Sequence, residues 1–359
     1  MALSPVAATQ LLSISISITQ ATRLSPYLGL LAYIVPDTLE GGGAGSTQRF
    51  TSANDVAVAL AASEISSTTA TNLLAALGQD QQPAAVYCIA KGAGTNVAAL
   101  EAAIDAGLDV GIIVLQSATE ADQESIGAWL SSDNAYQSRF VFIVQSADPD
   151  LATATKPASL DDCEQFGCRM FYSADTEPVA MAFAGRLAAA NLANGPTTPN
   201  YRIADCDVPT LSSTQIGHLN DNDVGYLQPL DYGSGSTETI GMGTKSYDGS
   251  DWKGAVSLVY LARQLRAQHL AFWLNLGIAG TPLPADATGR GMVEAQAQAI
   301  LGPMSAAGHF TASSTLPDGY SIATEVQTVG AEKWIYLYVD VLIAGQVSRI
   351  ATSIQGTEV

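Results

Sequence analysis

The sequence predicts an α/β unit with a mainly parallel sheet, followed by an α+β unit with a long helix, with β-arms at both termini. Three observations carry this. Between residues 27 and 195, short apolar runs such as VGIIVLQ (110–116) and FVFIVQ (140–145) alternate with helical patterns. Strands apolar on both faces belong to a sheet covered on both sides by helices. Residues 251–277 form the longest helical pattern, with Leu258, Leu261, Leu265 and Phe272 on one stripe. Residues 333–343 alternate with period two: Ile335, Leu337, Val339, Val341 and Ile343 against Trp334, Tyr336, Tyr338, Asp340 and Leu342. This is a long strand with two largely apolar faces, both of which need cover.

In chain order, LLSISISITQ (11–20) places Ile14, Ile16 and Ile18 on one face and Ser or Thr on the other. It reads either as a first edge strand or as an arm donated to a neighbour's sheet. Residues 27–35 form a buried strand stopped by Pro36, and the Gly-rich 40–50 is expected to be a flexible hairpin or surface loop. Ser52 and Asp55 have capping-box spacing for a helix to about residue 62. A second helix covers 69–77 and ends at Gly78. A strand at 86–90, a helix at 96–106, a strand at 110–116, a helix capped by Thr119, a strand at 140–145 and a short strand at 170–172 follow. A helix spans 177–193, with Pro178 in its first turn. NGPTTPN (194–200) marks the boundary, and turn-rich 201–251 suits short strands and hairpins. Beyond the long helix come a helix over 292–304 and a strand pair, 321–329 with 333–343. The expected division is 1–22 as N-terminal arm, 23–198 as α/β domain, 199–345 as α+β domain and 346–359 as C-terminal arm. In that last arm Val347, Ile350 and Ile354 also have spacing that allows a short helix.

The 359 residues carry a net charge of −19, and 47% are apolar. Acidic residues outnumber basic ones in both halves, which argues against nucleic acid as a partner. No run approaches the ~20 apolar residues that span a bilayer. The N-terminus lacks a basic signal region, so a soluble chain made in a cytoplasm is expected. Cys88, Cys163, Cys168 and Cys206 have no metal-ligand spacing and are expected as free thiols.

Each familiar site pattern fails. His218, His269 and His309 belong to neither HExxH nor a serine elbow. The Gly-rich 40–50 lacks the lysine of a phosphate loop, and in 241–246 Thr244 stands where a glycine must precede Lys245. Asp221-Asn222-Asp223 begins like a calcium loop but Val224 and Gly225 break it. No catalytic residue, cofactor or metal is expected. Lys253, Arg263 and Arg266 on the long helix are conspicuous cations in an acidic chain. They read as local ion pairs or as a charged contact surface.

Four stretches together resemble the sheath proteins of contractile phage tails and related injection machines, in their compact branch: LLSISISITQ (11–20), QRFTSANDVAVAL (48–60), YDGSDWKGAVSLVYLARQLR (247–266) and YVDVLIAGQVSRI (338–350). The chain is short for a sheath, which argues against a large decorative outer domain. The resemblance implies a mechanical, non-enzymatic virion component assembled in a host cytoplasm. Its subunits would stack as hexameric rings around a tail tube, with baseplate and tail terminator proteins as further partners. Contraction would drive the tube through a target envelope. The α/β domain would lie outside and the α+β domain inside, with Lys253, Arg263 and Arg266 nearest the tube. Ile14, Ile16 and Ile18, and Val347, Ile350 and Ile354 would be exchanged arms; Val339, Val341 and Ile343 would lie in the receiving strand, with Gly345 as hinge. Two rival readings stand beside this: an α/β nucleotide-binding or enzymatic domain with an appended β-domain, and another self-assembling virion component such as a tube or baseplate protein.

Overall fold

The computed structural model describes residues 11–12, 27–39, 42–116, 119–132, 140–164, 167–173, 177–197, 201–204, 206–231, 237–243, 245–280, 283–329, 332–343 and 346–356. Strand β1 is Leu11–Leu12, β2 Leu30–Val35 and β3 Thr47–Phe50. Helices α1 (Ala53–Ala61) and α2 (Ser67–Leu77) lead to β4 (Val86–Ala90). Then come α3 (Asn96–Asp105), β5 (Val110–Leu115), α4 (Glu120–Ser132), β6 (Val141–Ser146), β7 (Cys168–Tyr172) and α5 (Val179–Ala189).

These strands form one six-stranded sheet in the order β3-β4-β2-β5-β6-β7. All its neighbours are parallel except β3, which runs antiparallel to β4. The apolar runs become its central strands because both faces are covered. Leu31, Tyr33, Cys88, Ile112 and Ile143 pack on one side, and Ala32, Ile34, Ile89, Ile113 and Phe142 on the other. Ser52 and Asp55 do form a capping box at α1. The expected loop over 40–50 is corrected: Thr47–Phe50 pairs with β4 as an edge strand.

The second half contains β8 (Tyr201–Arg202), α6 (Ser213–Asp221), β9 (Tyr226–Asp231) and β10 (Thr237–Met242), with the three strands in a small antiparallel sheet. Helix α6 was not expected. Its start is legible in the Ser212–Gln215 capping box, but only Leu219 on it is buried, so no apolar stripe announces it. Next come the 27-residue α7 (Trp252–Ile278) and α8 (Ala287–Ala306). Asp251 caps α7 by accepting from the Gly254 amide at 2.7 Å. Strands β11 (Tyr320–Val329), β12 (Glu332–Ile343) and β13 (Gln346–Gly356) then form a meander. With β1 they make a four-stranded sheet, order β1-β13-β12-β11.

One continuous core runs from the six-stranded sheet through α2, α5, α7 and α8 to Ile335, Leu337, Val339 and Val341 of β12. It includes residues from both sides of the boundary expected at 194–200. Arg169 on β7 sits inside this junction. Its guanidinium lies 4.5 Å from the Phe183 ring centroid, 5.1 Å from Phe171 and 5.3 Å from Trp252 at the start of α7. It donates to the Gly243 carbonyl at 2.5 Å, and burial lowers its pKa to about 9.

Candidate assembly interface

The C-terminal sheet gathers most of the predicted arm residues. On β12, Ile335, Leu337, Val339 and Val341 are fully buried in the core shared with Val293, Ala297 and Ile300 of α8. The alternate positions Trp334, Tyr336, Tyr338 and Asp340 are half-buried, and the Tyr336 and Tyr338 rings stack at 6.5 Å. The second face of β12 is thus partly open, where the sequence led us to expect full cover.

Residues 346–356 adopt strand geometry. They pair antiparallel with β12 over eleven positions, from Lys333↔Gly356 to Ile343↔Gln346. The alternative of a short helix is set aside, because β12, paired with β11 on one edge, offers a long second edge whose backbone groups need partners. In this register Ile350 lies opposite Val339, Ile354 opposite Ile335 and Val347 opposite Leu342. Ile343, at the end of β12, is buried. Leu11 and Leu12 pair in parallel with Ala351 and Thr352. Residues 11–12 and 346–356 therefore meet at one edge of one sheet. Ile14, Ile16, Ile18 and Gly345 lie outside the described residues.

The three cations of α7 do not form one cluster. Lys253 is exposed in the first turn, about 20 Å along the helix from Arg266 at 1.5 Å per residue. Arg263 is engaged within the chain. Its guanidinium meets the Asp109 carboxylate at 2.6 Å and donates to the Val110 carbonyl at 2.5 Å. It also lies over Gly29 so closely that a Cβ there would come within 2.5 Å. Arg263 thereby ties α7 to the start of β5. Burial lowers the Arg266 pKa; Asp109 opposes that shift and Arg263 adds to it.

A nucleotide would sit at the carboxyl ends of β2 and β5, where a doubly wound sheet holds its ligand. There the chain's own side chains bond to one another. Thr69 donates to the Asp37 carboxylate and lies 2.6 Å from the Gln116 side-chain amide, while Asp37 accepts from the Ser66 amide at 3.2 Å. The amides that open α2 and α3 are capped by Ser66 and Thr95. A shallow cleft elsewhere, lined by Val208, Pro209, Leu211, Ile216, Leu227 and Pro229 with Thr210 and Gln228, has no titratable lining group.

The histidines are packed rather than gathered. His309 Nε2 donates to the Leu192 carbonyl at 2.7 Å, so Nδ1 accepts from Ser257 at 2.9 Å. Both residues are buried. His269 Nδ1 donates to the Leu265 carbonyl at 2.8 Å. Among the described residues no group of His, Cys, Asp or Glu could hold a metal, and no helix is long and apolar enough to cross a membrane. None of the four cysteines is in a disulfide, and all four are buried.

No family model and no curated protein sequence matches the chain. Solved structures do. A sheath tail protein from Listeria innocua matches over 93% of this chain and 96% of its own, with TM-score 0.62 and 10% identity. The helical sheath of the anti-feeding prophage, solved in its contracted state, matches over 96% and 97%, with TM-score 0.61 and 11% identity. The chain has the fold of a tail sheath protein. The likeness covers both halves of the chain, so the sheath fold here includes the six-stranded sheet as well as the C-terminal meander.

Proposed function

We propose that this protein is the subunit of a contractile tail sheath, a virion component with no enzymatic role. The observation that carries the reading is the meeting of residues 11–12 and 346–356 in one sheet, within a fold shared along its length with sheath proteins. In an isolated chain, residues 346–356 occupy the edge of β12. In a polymer, the same residues of a neighbour can take that place with the same backbone hydrogen bonds, so exchange costs little once the chain ends are free. Val339, Val341 and Ile343 belong to the receiving strand; Val347, Ile350 and Ile354 to the arm it accepts, and Ile14, Ile16 and Ile18 to the N-terminal arm. Strands shared in this way keep neighbours linked while the rest of each subunit rotates.

The subunits stack as hexameric rings around a tube protein, between baseplate and terminator proteins, and contraction drives the tube through an envelope. Lys253 and Arg266 remain the tube-facing cations; Arg263 serves the junction with Asp109.

Negative-stain microscopy of the purified chain tests this. Rings or hollow striated tubes are expected. Removal of 346–356 should abolish them and leave a folded monomer, to which a synthetic 346–356 peptide binds. A wild-type chain that stays monodisperse and monomeric under every assembly condition would refute the reading. A clear thermal shift with one nucleotide would instead favour the nucleotide-binding alternative.

A further inference from the structure

Helix α1 is apolar on both sides. Val56 and Ala59 are buried in the core. On the opposite side Ala53, Ala57, Val58, Leu60 and Ala61 face solvent, with Val58 61% and Leu60 41% exposed. Asn54 is the one polar side chain on that side. At 100° per residue these positions sweep a continuous arc away from the core. A surface helix ordinarily turns charged and polar residues outward, and a helix apolar all round is one that is covered. Helix α2, which packs against α1, exposes Ser67, Thr68, Thr71 and Leu74, of which Leu74 is apolar and none is charged.

The only charged residues from 51 to 79 are Asp55 and Glu64. Both are used by their own chain. Asp55 accepts from Thr51 and Ser52, and Glu64 accepts from the Gln48 amide at 2.8 Å. The exposed side chains of α1 and α2 thus carry no charge in a chain whose net charge is −19, and Asp55 and Glu64 are half-buried beside them.

We propose that the outward face of α1, extended by Leu74 of α2, is a contact surface for a second copy of this chain. The inference rests on the self-assembling reading above and names one of its surfaces. The charge distribution selects the occupant. Copies that each carry a net charge of −19 repel one another over most of their surface, and a face whose exposed side chains carry no charge is where they can approach at least cost. A cationic partner would be drawn to the acidic surface instead. Withdrawing Val58, Leu60 and Leu74 from water supplies the driving force. This contact is separate from strand exchange, because it lies on the six-stranded-sheet half of the molecule.

The test uses the full chain with Val58→Glu, Val58→Lys and Leu74→Glu, followed by sedimentation velocity and negative-stain microscopy. Each variant should raise the concentration needed for assembly by about tenfold or more, since either sign of charge must be desolvated in the contact. Each should keep the wild-type circular dichroism spectrum and Tm, since both side chains already face water. Assembly of the Val58 variants at wild-type concentrations overturns the inference and leaves the sheath reading standing. So does an opposite response, weaker with Glu and stronger with Lys, which marks a net-charge effect without local burial. A wild-type chain that never assembles overturns both.

Discussion

Replacing Arg263 with Met separates an internal role for this cation from a contact role. Met keeps the apolar stem and removes the guanidinium. Two contributions are lost. The Val110 carbonyl, on a residue 2% exposed, loses a donor at 2.5 Å, and stripping a buried acceptor costs about 1–2 kcal/mol. The ion pair with Asp109 is weaker, because that carboxylate is 51% exposed, and such pairs contribute about 0–1 kcal/mol. The expected total is about 1–3 kcal/mol, a fall in Tm of about 2–6 °C at roughly 2 °C per kcal/mol for a large domain. Asp109→Asn removes only the pair and should cost less than about 1 kcal/mol. Thermal denaturation by circular dichroism, at low and high salt, reads both. An Arg263→Met protein with unchanged Tm but failed tube binding would refute the reasoning and return Arg263 to the contact surface. If Asp109→Asn costs as much as Arg263→Met, the ion pair rather than the carbonyl grip holds the junction.

Two further outcomes follow from buried groups. Burial lowers the pKa of both His309 and His269, so the folded chain keeps them neutral while the unfolded chain protonates near about 6.5. Stability is therefore full above that pH and falls as pH drops below it toward the lowered folded values. His309 faces Ser257, the Leu192 carbonyl and the Tyr260 ring, none of them anionic. A His309→Gln variant should show a shallower decline of Tm between pH 6.5 and 5; an unaltered slope would count against His309 as a source. Gly289 lies within α8, where Ala would ordinarily gain about 1 kcal/mol of helix propensity. A Cβ there would fall 1.7 Å from the Pro284 carbonyl oxygen and 3.2 Å from Ile335 Cδ1, so Gly289→Ala should destabilise by about 1–3 kcal/mol despite its propensity. A raised Tm would show that this turn gives way.

Much of the fold was legible because single-strand patterns are local physics. Val86–Ala90 and Val110–Leu115 are apolar on both faces, which specifies strands between two layers of helices, and Ser52 with Asp55 specifies where α1 begins. Thr47–Phe50 was missed because an edge strand with three polar residues has no apolar period; its partner β4 makes it a strand. The C-terminal tail shows the limit most clearly. Val347, Ile350 and Ile354 suit a helix as well as a strand, and the choice falls to the free edge of β12, which lies beyond any local pattern. Arg263 is alike in this respect. Its presence on a long helix was plain, but its partner Asp109 stands 154 positions away in the sequence, and only the packing of α7 against β5 brings them to 2.6 Å. The amino-acid sequence by itself determined which segments are helices and buried strands and that the chain carries no familiar catalytic pattern, because periodicity and motif spacing are local. Tertiary structure alone decided where residues 11–12 and 346–356 meet, which cations are already engaged and which helix face is left without cover, because each depends on contacts between residues far apart along the chain.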